Sequence, residues 1–229
     1  MFSTFTPQEL NAIFLSLKIA SVSILFALPF AIAAAWLLAR KNFWGKNLLN
    51  GIIHLPLVLP PVVIGYLLLV LMAKKGAIGQ WLWQWFGFSF SFSWRGAVLA
   101  SMVMAFPLMV RSIRLSFEAI DPKLEQAART LGASPWRVFF TLNLPLSAVG
   151  IISGAVLGFA RSLGEFGATI TFVSNIPNET QTIPAALYTF IETPNGELAA
   201  ARLCLVAIAI SLIALFCSEW LAQKQQKYK

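Results

Sequence analysis

The chain has 229 residues, of which 58% are hydrophobic and only 11% charged. A soluble domain carries roughly 25% charged residues, so this chain has too little polar surface to cover a globule in water, and its solvent is lipid. Its net charge of +8 belongs in a membrane protein to basic cytoplasmic loops, and no basic patch with interleaved aromatics marks it as a nucleic-acid binder.

About 20 apolar residues in a helix cross a bilayer core. Five stretches satisfy this and predict spans at 12–39, 47–73, 96–116, 138–163 and 199–222. The first is longer than the apolar core of a signal peptide and ends at Arg40-Lys41, so it reads as a retained helix. The second contains Pro56, Pro60, Pro61 and Gly65. Proline frees carbonyls and kinks a helix. The reading is either a bent wall of a translocation cavity, with Pro60 and Pro61 as pathway candidates, or a kink required by packing. His54, near one end of this span, reads as an interface histidine.

The third span is short and extends past Arg111 toward Ser116. The fourth carries Gly150, Gly154 and Gly158 at four-residue spacing, a pattern for close helix packing inside the bundle or at a dimer interface. Near its outer end, Arg161 and Glu165 are four residues apart. They read as an ion pair that cancels charge, or as an arginine attracting a dianion at the cavity mouth. Neutral donors such as Ser162, Thr169 and Thr171 suit weak passage of an anion. Residues 164–198 are expected to form a periplasmic loop; its uncharged part, 166–178, is broken by Asn175, Pro177 and Asn178, is too short to span and reads as a loop or a re-entrant segment. In the fifth span, Cys204 and Cys217 lie about 20 Å apart by helical rise, beyond disulfide reach, and read as apolar packing residues. No metal-ligand spacing occurs, and no cofactor is expected.

Basic residues set orientation. Arg40, Lys41 and Lys46, then Arg111, Arg114, Lys123, Arg129 and Arg137, then Lys224, Lys227 and Lys229 fall on one side of a five-span bundle. That side is expected to be cytoplasmic, with the N-terminus outside and the C-terminus inside. Trp81, Trp83, Trp85 and Trp94 suit the outer interface.

The loop at 117–137 carries the strongest signal. Asp121-Pro122 reads as an N-cap followed by proline at the first helical position. Leu124, Ala127, Ala128 and Leu131 follow at helical spacing, and Gly132 ends the helix as a left-handed residue. Ser134-Pro135 starts the next helix. A helix this short is marginal alone in water. It either lies against its own bundle or is presented to a soluble partner.

Gln126-Ala127-Ala128, three residues, Gly132, nine residues, then Leu142-Asn143-Leu144-Pro145 resembles the EAA loop of ABC importer permeases. Gln126 stands where that family has Glu, with Glu125 just before it and about 100° away around the helix; Leu142 stands where Ile is usual. The segments His54–Pro61, Phe92–Gly96, Leu124–Gly132 and Phe159–Ala168 look like the molybdate branch of that family, to which sulfate and thiosulfate permeases are close.

The resemblance implies an all-α, polytopic type I-like permease of about five transmembrane helices with a cytoplasmic coupling helix, working as a homodimer in the bacterial inner membrane. It implies two separate ATP-binding subunits docked on a coupling loop that includes Glu118, Asp121, Glu125, Gln126, Ala127, Ala128, Leu131 and Gly132. It also implies a periplasmic oxyanion-binding protein as supplier. No catalytic residue is expected: a Walker-type glycine loop is absent, so ATP hydrolysis by the P-loop route falls to another chain. A self-sufficient carrier would want intramembrane carboxylates and inverted repeats; the carboxylates here read as lying at span ends.

Overall fold

A computed structural model describes residues 5–226. The described chain is all-helical. α1 (Pro7–Arg40) is followed by α2 (Lys46–Val58), α3 (Pro61–Met72), α4 (Gly79–Phe86), α5 (Trp94–Glu118) and α6 (Pro122–Thr130). Then come α7 (Pro135–Val138), a π-helical turn (Phe139–Asn143), α8 (Leu144–Leu146), α9 (Ala148–Leu163), α10 (Gly167–Val173), α11 (Ile183–Glu192) and α12 (Glu197–Gln226). Three described helices, in α1, α5 and α12, are long and apolar enough to cross a bilayer alone, and two bent pairs bring the number to five. Lys227 and Lys229 lie outside the described residues.

α1 begins with a reciprocal cap. The Thr6 hydroxyl accepts from Glu9 N at 3.3 Å, and the Glu9 carboxylate accepts from Thr6 N at 2.6 Å. Glu9 is fully buried and also accepts from Arg202 at 2.8 and 3.1 Å, which ties the start of α1 to α12. Glu9→Ala is expected to destabilise the bundle by about 3 kcal/mol, the usual effect of breaking a buried ion pair. The unfolding temperature in detergent measures it, and Glu9→Gln, which keeps the cap acceptor, separates cap from charge. An unchanged unfolding temperature in Glu9→Ala would show that the pair holds nothing together.

α1 and α5 run side by side in the same direction. Lys18 sits over the Trp94 ring at 3.7 Å, the Ser23 hydroxyl donates to Val98 O at 3.0 Å, and Arg40 donates to Ile120 O at 2.9 Å. α9 returns antiparallel on α5. Gly150 lies against Ser116, Gly154 against Ile113 and Met109, and Gly158 against Met109 and Ile24. A Cβ at Gly158 would stand 2.7 Å from Met109 Cγ. The glycine stripe therefore serves packing within the chain and is not spent on a dimer contact. Around it lies a core of Ala27, Ala31, Ala35, Ala105, Val110, Ile113 and Phe117.

The second segment is broken more sharply than a kink. α2 and α3 meet at 113° across Leu59-Pro60. Each residue before a proline is pushed out of the helical region, and Leu59 and Pro60 are both extended, at ψ 144° and 133°. With two prolines in succession, the chain turns instead of bending. α3 then packs on α10: Gly65 lies against the Ala168 backbone, and Gly167 against Pro61.

Residues 164–198, expected as a periplasmic loop with 166–178 as loop or re-entrant segment, hold two short helices, α10 and α11, set into the bundle. Ala168, Phe172 and Val173 of α10 and Ile183 and Ala186 of α11 are buried. Side chains satisfy the turn between them: the Thr180 hydroxyl accepts from Ile176 N and donates to Ser174 O, and the Ser16 hydroxyl accepts from Ile183 N at 2.7 Å. The outer faces of α1, α3 and α12 stay apolar and exposed, with Leu25, Phe30, Tyr66, Leu205 and Phe216 among them, as a lipid solvent requires. Cys204 and Cys217 are unpaired and exposed, Cys204 on the groove that α12 shares with α11.

Candidate coupling helix and translocation path

α6 is fixed at both ends. Asp121 accepts from Lys123 N at 2.9 Å, and Pro122 takes the first helical position. At the other end Gly132 is left-handed, with φ +84°. Gly132 N donates to Arg129 O at 2.9 Å and Ala133 N to Ala128 O at 3.1 Å, the paired bonds of a Schellman closure. Ser134 caps α7 by accepting from Arg137 N at 3.3 Å.

Between these caps, no residue of α6 is fully buried; Glu125 and Ala128 are partly covered. It stands off the end of the bundle where α1 and α5 finish, so it does not lie against its own core. Gln126 and Ala127 are exposed, Ala128 is half-buried, Leu124 is exposed and Leu131 is 88% exposed. Trp136 and Phe140, which stack on each other at 6.3 Å, are exposed and line a groove with Ile32 and Leu37 of α1.

Glu125 behaves differently from its neighbours. Its carboxylate sits 2.8 Å from Arg40 Nε, with both side chains largely buried, at 15% and 12% exposed. Arg40 also donates to Ile120 O. Glu125 thus fastens α6 to the last turn of α1. Glu118 pairs with Arg114 at 2.7 Å, and Arg114 donates to Asn50 of α2 at 3.1 Å. Sequence reading missed Arg40 and Asn50 as parts of this site. The one hint was a cation in the last turn of a long helix.

The pathway candidates gather at the break between α9 and α10. The Arg161 guanidinium lies 2.5 Å from Glu165 Oε2, and the other oxygen of Glu165 accepts from Ala168 N at 2.7 Å, capping α10. The Thr169 hydroxyl donates back to Phe166 O at 2.9 Å and that of Thr171 to Gly167 O, so neither offers a free proton. Pro61 touches Gly167, while Pro60 is exposed. The depth of this group corrects the sequence reading. α9 pairs antiparallel with α5 from Gly150 at Ser116 to Gly158 at Met109, and the same register brings Arg161 level with the middle of α5. The pair stands halfway along the bundle, not at its outer end, in the break between α9 and α10.

A profile of the family described as "Binding-protein-dependent transport system inner membrane component" matches residues 27–227. The molybdenum transport system permease protein ModB of Haemophilus influenzae is 69% identical over 220 residues, 96% of each chain. The sulfate transport system permease protein CysT of Escherichia coli is 35% identical over 92% of this chain and 75% of its own length. Among solved structures, a bacterial alginate ABC transporter in complex with an alginate pentasaccharide-bound periplasmic protein contains a chain of the same fold. Its TM-score is 0.76 at 17% identity, covering 96% of this chain and 80% of that one.

Proposed function

The chain belongs to the family of binding-protein-dependent transport system inner membrane components, and from that membership we propose that it carries molybdate, or its analogue tungstate, inward under the drive of a separate ATPase. It is a multi-pass inner-membrane permease and not a catalytic enzyme. It works as a homodimer. Two ATP-binding subunits seat on the two copies of α6, and a periplasmic oxyanion-binding protein delivers the anion to the opposite face. The N-terminus is periplasmic, and α6 and the C-terminus are cytoplasmic.

The observation that carries this reading is α6 itself: a helix of nine residues, capped at both ends, with no residue fully buried and with Leu131 turned outward. Such a helix is unstable alone, and its caps and two attachments make it a rigid peg. One attachment is the Glu125–Arg40 pair to α1; the other is the covalent run through α7 and the π-turn into α9. ATPase subunits closing on each other would move both pegs, and each peg would move two helices. The preference for molybdate over sulfate rests on the difference between 69% and 35% identity to the two relatives.

The test is uptake by the reconstituted complex, with its ATPase and binding protein, of labelled molybdate in the presence of unlabelled molybdate, tungstate or sulfate. Competition by tungstate and not by sulfate is expected. Uptake by this chain alone, without an ATPase, would overturn the reading.

A further inference from the structure

We propose that Arg161 is a passing contact for the transported dianion, and that Glu165 is the resident counter-ion with which the dianion competes. This rests on the importer reading above. Three observations support it. The first is depth: the pair lies level with the middle of α5, the point farthest from either end of the bundle. A charged side chain at such a depth is costly against lipid, and it persists where it faces a water-filled path or another chain.

The second is the face on which it lies. Gly150, Gly154 and Gly158 turn toward α5, while Ala160 and Leu163 line a groove shared with α11 and α12. Leu157 and Arg161, one turn apart, occupy the strip between these faces; Leu157 is exposed, and the Arg161 side chain keeps 27% of its surface open. Glu165 is 1% exposed. The arginine is thus reachable and its partner is not.

The third is the asymmetry of the pair. One oxygen of Glu165 is fixed by Ala168 N at the start of α10, so the carboxylate cannot follow the arginine if the latter turns away. Among the described residues, Glu165 is the partner of Arg161. A guanidinium presents five N–H donors in a planar fork that suits two oxygens of a tetrahedral oxyanion. An uncompensated guanidinium in a dry interior would hold a dianion too firmly to release it. With Glu165 beside it, the charge is cancelled at rest. The dianion gains the fork only by displacing the carboxylate, which keeps its stay short.

A structural ion pair and an anion contact make opposite statements about the doubly neutral protein. In proteoliposomes holding the whole complex, molybdate uptake is measured for Glu165→Gln and for the double variant Arg161→Gln/Glu165→Gln, with membrane level as the check on folding. Gln at 165 keeps the acceptor for Ala168 N. The double variant is expected to accumulate and to lose uptake by about tenfold or more, the signature of a group that acts on the passing substrate. Glu165→Gln alone is expected to become about tenfold more sensitive to inhibition by sulfate, since an unopposed arginine now retains whichever dianion reaches it. Wild-type uptake in the double variant would reduce the pair to a structural one and overturn the proposal. Unchanged sulfate sensitivity in Glu165→Gln would do the same, and it decides the matter alone if the double variant fails to accumulate. Wild-type vesicles that import no molybdate would sink the importer reading itself, and this inference with it.

Discussion

Gly132→Val is expected to reduce ATP-driven uptake to background while the protein still inserts at its normal level. Gly132 has φ +84°, and nothing lies within 4 Å of where its Cβ would be. The substitution therefore meets no clash within the chain. What it meets is the left-handed backbone, which costs a non-glycine residue roughly 1–2 kcal/mol, and a β-branched one suffers most. The simplest relief is to leave that conformation, which breaks the Ala133–Ala128 and Gly132–Arg129 bonds that square off α6. The peg would then fray at the end nearest Leu131. Gly87 provides a matched control: it too is left-handed, at φ +67°, with open space around it, but it ends α4, away from the coupling site. Gly87→Val should carry similar strain and retain uptake. Equal uptake in Gly132→Val and the wild type would remove α6 from the coupling mechanism.

Leu131→Asp is expected to release the ATPase without harming the permease. At 88% exposure, the side chain does little for the fold, and surface changes of this kind stay within about 0.5 kcal/mol. In a groove of a partner the same side chain would be an anchor. Replacing it with a carboxylate removes apolar burial and places a charge in the contact, a loss of at least about 2 kcal/mol, or roughly thirtyfold in affinity. The measurement is the amount of ATPase that co-purifies with the permease, set against the unfolding temperature of the permease alone. An ATPase that remains bound would show that this edge of α6 is not the seat.

The parts of the site legible in the sequence are those whose geometry is local. Asp121-Pro122 and Gly132 specify a short helix through bonds that span a few residues, and they do so whatever surrounds them. The depth of Arg161 and Glu165 was not local. Counting inward from charged residues assumes one straight span, but α9 stops at Leu163 and α10 continues beyond the break, so the apparent end of the helix is the middle of the wall. Asn175 and Asn178 read in the sequence as breakers. They do interrupt the helix, yet Asn175 donates to Thr189 at 2.8 Å and Asn11 to Asn178 at 2.6 Å, so the turn is held within the fold. Pro60 and Pro61 announce a distortion, but proline chemistry fixes the place of a turn and not its size; the 113° is legible only in the fold, where α3 packs on α10. The glycine stripe announced a close neighbour, and only the fold names it as α5.

The bridge between Glu125 and Arg40 gives α6 a second footing, remote in sequence from the first. A peg held at one point would pivot under load and waste the stroke. Braced at two, it acts as a crank: thrust from below is divided between the first helix and the one that carries Arg161, and shear between those two is the natural output. In such an arrangement the wall bearing the arginine would shift relative to α1 at each stroke, so the grip on the cargo would be timed by the same motion that opens its way.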